Sequence, residues 1–133
     1  MLNVKKIVFS VVCIIILTIC IFGGRYLISV QKYKNIIKDL KISSVDLSKV
    51  KDGKYIGSFD SGFVGAKVSV TVKDHKIVDI VLLNHKTERG KSAEVIPGKV
   101  LEAQSLQVDT ISGATNSSKV ILKSIENALK AGE

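Results

Sequence analysis

The feature that most constrains this chain is an apolar run close to its start. After Lys5 and Lys6 comes IVFSVVCIIILTICIFGG, 18 residues from Ile7 to Gly24 that carry no charge, with Ser10 and Thr18 as mildly polar interruptions. A helix needs roughly 20 apolar residues to cross a hydrocarbon layer. Residues 26–30 (YLISV) extend the run if Arg25 snorkels to the interface. Packed inside a domain instead, the segment would exceed what the remaining residues can surround. A cleaved signal peptide would end on small residues, for which Gly23-Gly24 is a weak candidate. A lipoprotein signal needs a small residue before its cysteine, but Val12 precedes Cys13 and Ile19 precedes Cys20. We therefore expect an uncleaved transmembrane signal-anchor over residues 1–30, a stalk or linker over 31–50 and one domain over 51–133.

Charge is spread unevenly along the chain. Of the formal net charge of +8, residues 25–50 hold six basic and two acidic side chains, and residues 51–133 hold twelve and ten. The excess lies next to the apolar run, where each Lys or Arg gains about 1 kcal/mol from an anionic lipid surface. Counted by the positive-inside tendency, Arg25, Lys32, Lys34, Lys38 and Lys41 against Lys5 and Lys6 favour a cytoplasmic C-terminal domain. With seven aromatic residues in the chain and no basic cluster interleaved with them, nucleic acid is not an expected partner. Both cysteines lie in the apolar run, so the rest of the chain has no disulfide or thiolate chemistry.

Beyond the stalk, where Tyr33, Ile36, Ile37 and Leu40 keep helical spacing, GKYIGSFD (53–60) reads as a strand. In AKVSVTV, Val68, Val70 and Val72 alternate with Lys67, Ser69 and Thr71, the period of a half-buried strand. KDHK makes a turn, with His75 solvated, and Ile77, Ile80 and Leu82 continue on the far side. Residues 84–90 (NHKTERG) read as a polar loop. KSAEVIPGKVLEAQS reads as one or two short helices, broken or begun at Pro97. In the last helix Val120, Ile121, Ser124, Ile125, Ala128 and Leu129 share a face. The fold class is α+β: an N-terminal transmembrane helix, then a small antiparallel β-sheet with helices packed on one face.

Chemistry concentrates at DTISGATNSS. Gly113 permits a tight turn, Ala114 adds no bulk, and Asn116 or Ser117 is a good N-cap for the last helix. An anion at that mouth would meet free backbone N–H groups and the positive end of the dipole, which contributes about 0.3–1 kcal/mol per charge. The same residues also suit an ordinary helix start. A hydrolase triad of Asp109, Ser112 and His85 lacks a nucleophile elbow, and two separated histidines with scattered carboxylates make no metal centre.

The string Asp109-Thr110-Ile111-Ser112-Gly113-Ala114-Thr115 resembles the flavinylation motif D-x-x-[S/T]-G-A-T of the FMN-binding domain family. That family includes the flavin-carrying subunits of the sodium-pumping NADH:quinone reductase and of the Rnf-type complex, and small membrane-anchored proteins. DGKYIGSFDSGFVGAKVSVTVKDHKIVDIVLLNH is similar to the family's opening and VLEAQSLQVDTISGATNSSKVILKSIENAL to its close. The resemblance implies FMN held covalently as a phosphoester on Thr115, installed by a flavin transferase. Ser112, Gly113 and Ala114 would form the presenting turn, Asn116 and Ser117 the cap, and Asp109 part of the recognition sequence. It also implies an extracytoplasmic domain, and electrons from a membrane dehydrogenase or quinol-linked donor. The family loop H-x-E-T-x-G stands here as His85-Lys86-Thr87-Glu88-Arg89-Gly90, with Thr and Glu exchanged. His85 is then either a flavin-side contact or a polar loop residue. Two other readings stay open: a module of the same fold holding flavin or another ligand non-covalently, and a structural or regulatory membrane protein without a redox role.

Overall fold

In the computed structural model, residues 3–133 are described. They form two compact units, one within residues 1–35 and one of residues 36–133. Helix α1 (Val4–Asp39) is unbroken through the apolar run. It is long and apolar enough to cross a membrane. From Val4 to Ile28 its large apolar side chains stand exposed.

The second unit is built on three strands, β1 (Gly53–Asp60), β2 (Gly65–Lys73) and β3 (Lys76–Lys86), antiparallel in the order β1-β2-β3. Asp74 and His75 join β2 to β3 with φ of +51° and +60°, the geometry that a two-residue hairpin with the correct twist requires. His75 is exposed there. Pairing places Val68 opposite Gly57 and Leu82, Val70 opposite Tyr55 and Ile80, and Val72 opposite Gly53 and Ile77. These residues share one face, and β-branched side chains pack well on such a pleat.

Helices α2 (Ile96–Ala103) and α3 (Thr115–Lys130) cover that face, α3 over β1 and β2 and α2 over β3. The expected α3 face of Val120, Ile121, Ser124, Ile125, Ala128 and Leu129 is buried throughout. Each large apolar side chain there contributes about 1.5–3 kcal/mol of burial. Gly57 sets the distance of approach, because a Cβ there would collide with the Ser124 carbonyl oxygen and the Ala128 nitrogen. Pro97 stands in the first turn of α2, where its missing N–H has no helical acceptor. A 3-10 turn over Lys91–Val95 precedes it. The architecture is thus the expected α+β arrangement.

The chain between α1 and β1 is tied down. Val50 is fully buried, the Lys51 N–H donates to the Gly132 carbonyl at 2.9 Å, and Lys123 Nζ donates to the Lys41 carbonyl at 3.3 Å.

One segment departs from its expected form. Asn84, His85 and Lys86 are not loop residues: β3 continues through them, pairing with Lys67, Ala66 and Gly65. Ladder hydrogen bonds need only backbone, so polar side chains do not end the strand. A register shift between Lys67 and Val68 disturbs the alternation that would have shown it.

Candidate functional site

The turn before α3 is built from the backbone outward. The Ala114 N–H donates to the Ile111 carbonyl at 2.9 Å, and Gly113 between them has φ of +78°, a conformation that only glycine adopts without strain. A Cβ at Gly113 would meet nothing within 4 Å, so the space beside the turn is open. Ser118 locks the turn to the helix: its hydroxyl donates to the Ala114 carbonyl at 2.8 Å and accepts the Ile111 N–H at 3.0 Å.

The helix start corrects one expectation. Asn116 and Ser117 are not the N-cap of α3. Ala114 is, with φ −136° and no side-chain cap bond. The first helical bond runs from the Ser118 N–H to the Ala114 carbonyl, so the amides of Thr115 and Ser117 precede the ladder. The Gly113 turn fixes where the helix begins, and capping preference yields to it. Thr115 is therefore the first helical residue, exposed, with Ala114 buried beneath it. Ser112 and Gly113 are exposed in the turn, Asn116 is exposed in the first turn of α3, and Ser117 is buried.

Ser117 faces the end of β3. Its hydroxyl lies 3.1 Å from the Thr87 hydroxyl, which accepts the Gly90 N–H at 2.8 Å. A Cβ on Gly90 would collide with Ser117 Oγ and lie 2.6 Å from Thr87 Oγ1, so the loop needs glycine to close on the helix. Lys86 makes an ion pair with Asp60 at 3.1 Å. The Gly62 N–H, and then Lys86, hold the Asp60 carboxyl below its ordinary pKa.

His85 is not a loop histidine. Its side chain is 2% exposed, and Nδ1 lies 3.1 Å from Glu94 Oε1. A carboxylate only accepts, so this contact assigns the hydrogen to Nδ1. Nε2 is buried with no hydrogen-bond partner. Asp109 is exposed on the irregular approach to the turn, and with Thr110 it lines an open groove of about 370 Å³ beside Lys119 and Leu122 of α3.

The structure thus brings Ser112, Gly113, Ala114 and Thr115 together with Asn116 and Ser117 at one helix mouth. It puts Asp109 on the groove and His85 beneath the surface. Ser118, Thr87, Glu94 and Gln104 escaped the sequence reading. Gln104 takes a left-handed φ of +51° at the end of α2, where its amide bonds both backbone groups of Ile77 at 2.8 Å. Only the Thr87-to-Gly90 spacing, a hydroxyl three residues before a backbone N–H, was a readable signal. Among the described residues no group of three metal-ligating side chains occurs.

Two comparisons bear on this geometry. The FMN-binding domain description matches residues 62–130. Over 85 residues the chain is 38% identical to a NADH:acrylate oxidoreductase of Vibrio harveyi, a match covering 61% of this chain and 8% of that protein's length. The match to the family takes in β2, β3, α2, the Ser112-Gly113 turn and α3, more than half of the sequence, and on that ground the chain belongs to the FMN-binding domain family.

Proposed function

We propose that this protein is a membrane-anchored electron carrier whose FMN is attached by a phosphoester to Thr115. The observation that carries the proposal is the exposed Thr115 hydroxyl at the first position of α3, directly after the open Gly113 turn and within the string DTISGAT. The residues fit the group. The ester leaves one negative charge on the phosphate, next to backbone N–H groups that α3 itself does not use. Ala114 puts no side chain into that space, and Ser118 holds the turn still from below.

Bound there, FMN supplies reversible uptake of one or two electrons. The chain supplies the tether, the orientation of the ester and, through α1, retention at a membrane. The oxidoreductase name of the Vibrio harveyi relative agrees with a redox role. The electron donor in this reading is a membrane dehydrogenase or quinol-linked partner, and a separate flavin transferase makes the bond. The domain works on the extracytoplasmic side.

Covalent attachment is tested by co-production with a flavin transferase, followed by denaturing electrophoresis and intact mass. The expected result is in-gel flavin fluorescence in the wild type, its absence in Thr115→Ala, and a mass increment of one FMN less water on the peptide that holds Thr115. Flavin that leaves the wild type on denaturation would sink the ester and establish the non-covalent module instead.

A further inference from the structure

The sheet has a second face, which α2 and α3 leave uncovered. Across it run the rows Lys54–Thr71–Asp79, Ile56–Ser69–Val81 and Ser58–Lys67–Asn84, with Lys73–Lys76 at one end and Asp60–Gly65–Lys86 at the other. Every charged side chain of the three strands lies on this face: five lysines against two aspartates, a net charge of +3. The rest of residues 51–133 carries seven basic and eight acidic side chains, so the positive charge of the domain is concentrated on the sheet. Lys86 pairs with Asp60 across Gly65. Lys54, Lys67, Lys73 and Lys76 are exposed and make no ion pair among the described residues.

The middle of the face is apolar. Beyond α1, the large apolar side chains exposed among the described residues are Ile56, Val78, Val81, Leu83 and Val95, and all but Val95 belong to the sheet. Ile56 and Val81 flank Ser69, which is 3% exposed and whose hydroxyl has no hydrogen-bond partner. Val78 and Leu83 are the extra residues of β3 at its two register shifts, where a bulge turns side chains out of the regular alternation. Exposed apolar residues grouped inside a polar rim mark an interaction surface.

We propose that this face docks on an anionic lipid surface, with Ile56, Val78, Val81 and Leu83 at the acyl boundary and the lysines at the headgroup phosphates. The proposal rests on α1 as a membrane span, which keeps lipid within reach, and not on the ester at Thr115. Charge selects the occupant. A second copy of this chain would set one net-positive face against another, and like charges opposed across an interface repel. An anionic bilayer is complementary to the lysines. Their stems lie along apolar surface while the ammonium groups stay at headgroup level, and burial of apolar area adds to the electrostatic attraction. In this arrangement the sheet lies between the lipid and the helix layer. The Gly113 turn and the exposed Thr115 then stay clear of the lipid, open to a partner.

The test uses the full chain with Cys13 and Cys20 replaced by serine, reconstituted in vesicles of phosphatidylcholine with and without phosphatidylglycerol. An environment-sensitive fluorophore is placed at Ile56→Cys, at Leu83→Cys or, on the open side of α2, at Gly98→Cys, with spin-labelled lipid as quencher. Circular dichroism confirms that each variant is folded. The expected result with phosphatidylglycerol is blue-shifted, quenched emission at Ile56→Cys and Leu83→Cys and neither change at Gly98→Cys. Both signals should be lost in phosphatidylcholine alone and in the combined Lys54→Glu, Lys67→Glu and Lys76→Glu variant. Sheet probes that stay unquenched with anionic lipid, or are quenched equally without it, overturn the docking and leave the span standing. Efficient disulfide crosslinking of unlabelled Ile56→Cys, without lipid quenching, assigns the face to a second copy and overturns the docking too. A chain that alkaline carbonate strips from the vesicles overturns the span on which the docking rests.

Discussion

Gly113 combines a φ of +78° with open space around the position a Cβ would take. Alanine there meets strain and no clash, so Gly113→Ala should destabilise the fold by about 1 kcal/mol, measured by denaturant unfolding. The larger effect should fall on attachment, because the relieved turn reorients Thr115, and the yield of covalent FMN by intact mass should drop. Gly90→Ala is the opposite case. Its backbone is unstrained, but Ser117 and Thr87 fill the space, and overpacking of this kind costs about 1–3 kcal/mol. A third residue makes a pH prediction. Glu126 is fully buried on α3, with Oε1 2.7 Å from Lys130 Nζ and Oε2 2.9 Å from Lys123 Nζ. Burial pushes its pKa up, but the hydrogen bonds from Lys130 and Lys123 outweigh that and leave it below the ordinary 4.5. A carboxyl that is more acidic folded than unfolded contributes stability above about pH 4.5, and loses it as pH falls toward the depressed folded value. Wild-type unfolding free energy should therefore decline across that acidic window. Glu126→Gln should be less stable at pH 7 and should lack that part of the decline; an unchanged acid profile would refute the assignment.

At the scale of elements, the seat of α3 on β1 is the most exacting contact. Gly57→Ala forces a methyl group into the Ser124 carbonyl and the Ala128 amide. Backbone inside a helix yields less than a side chain would, so the cost should reach the upper part of the usual overpacking range, about 3 kcal/mol. Chemical denaturation checks this, with Gly98→Ala on the open side of α2 as the harmless comparison. The hairpin and the buried face of α3 were legible in the sequence because alternation at Val68, Val70 and Val72 and helical spacing from Val120 to Leu129 follow directly from burial. The end of β3 was not, since Asn84, His85 and Lys86 pair through backbone that has no residue signature. The start of α3 was misplaced because capping preference reads single residues, whereas Ser118 and Ile111 fix the turn jointly across seven positions. Of the candidate site, the turn and the exposed Thr115 could be read in the sequence. The burial of His85 against Glu94 could not, because it depends on a 3-10 turn folding back onto a strand end.

With α1 spanning a membrane, as proposed, residues 36–133 lie on one side of it, and charge and cofactor point to different sides. Five basic residues between Arg25 and Lys41 against two before the apolar run favour a cytoplasmic domain. The proposed attachment at Thr115 favours the outer side, where a covalent bond prevents loss of a cofactor that diffusion could not restore. The twelve basic side chains beyond residue 50 lie outside the short flanking segments over which that bias is read, so the charge count rests on the five residues from Arg25 to Lys41. Arg25 is also followed directly by further apolar residues of the same unbroken helix, so it need not mark the membrane edge. The expected topology is thus a single span with residues 36–133 outside. A cysteine appended after Glu133, in a chain with Cys13 and Cys20 replaced by serine, should react with a membrane-impermeant thiol reagent on intact cells. Labelling that appears only after lysis would place the domain in the cytoplasm and remove the reason for the tether, while the turn, the groove and the chemistry available at Thr115 would stand as described.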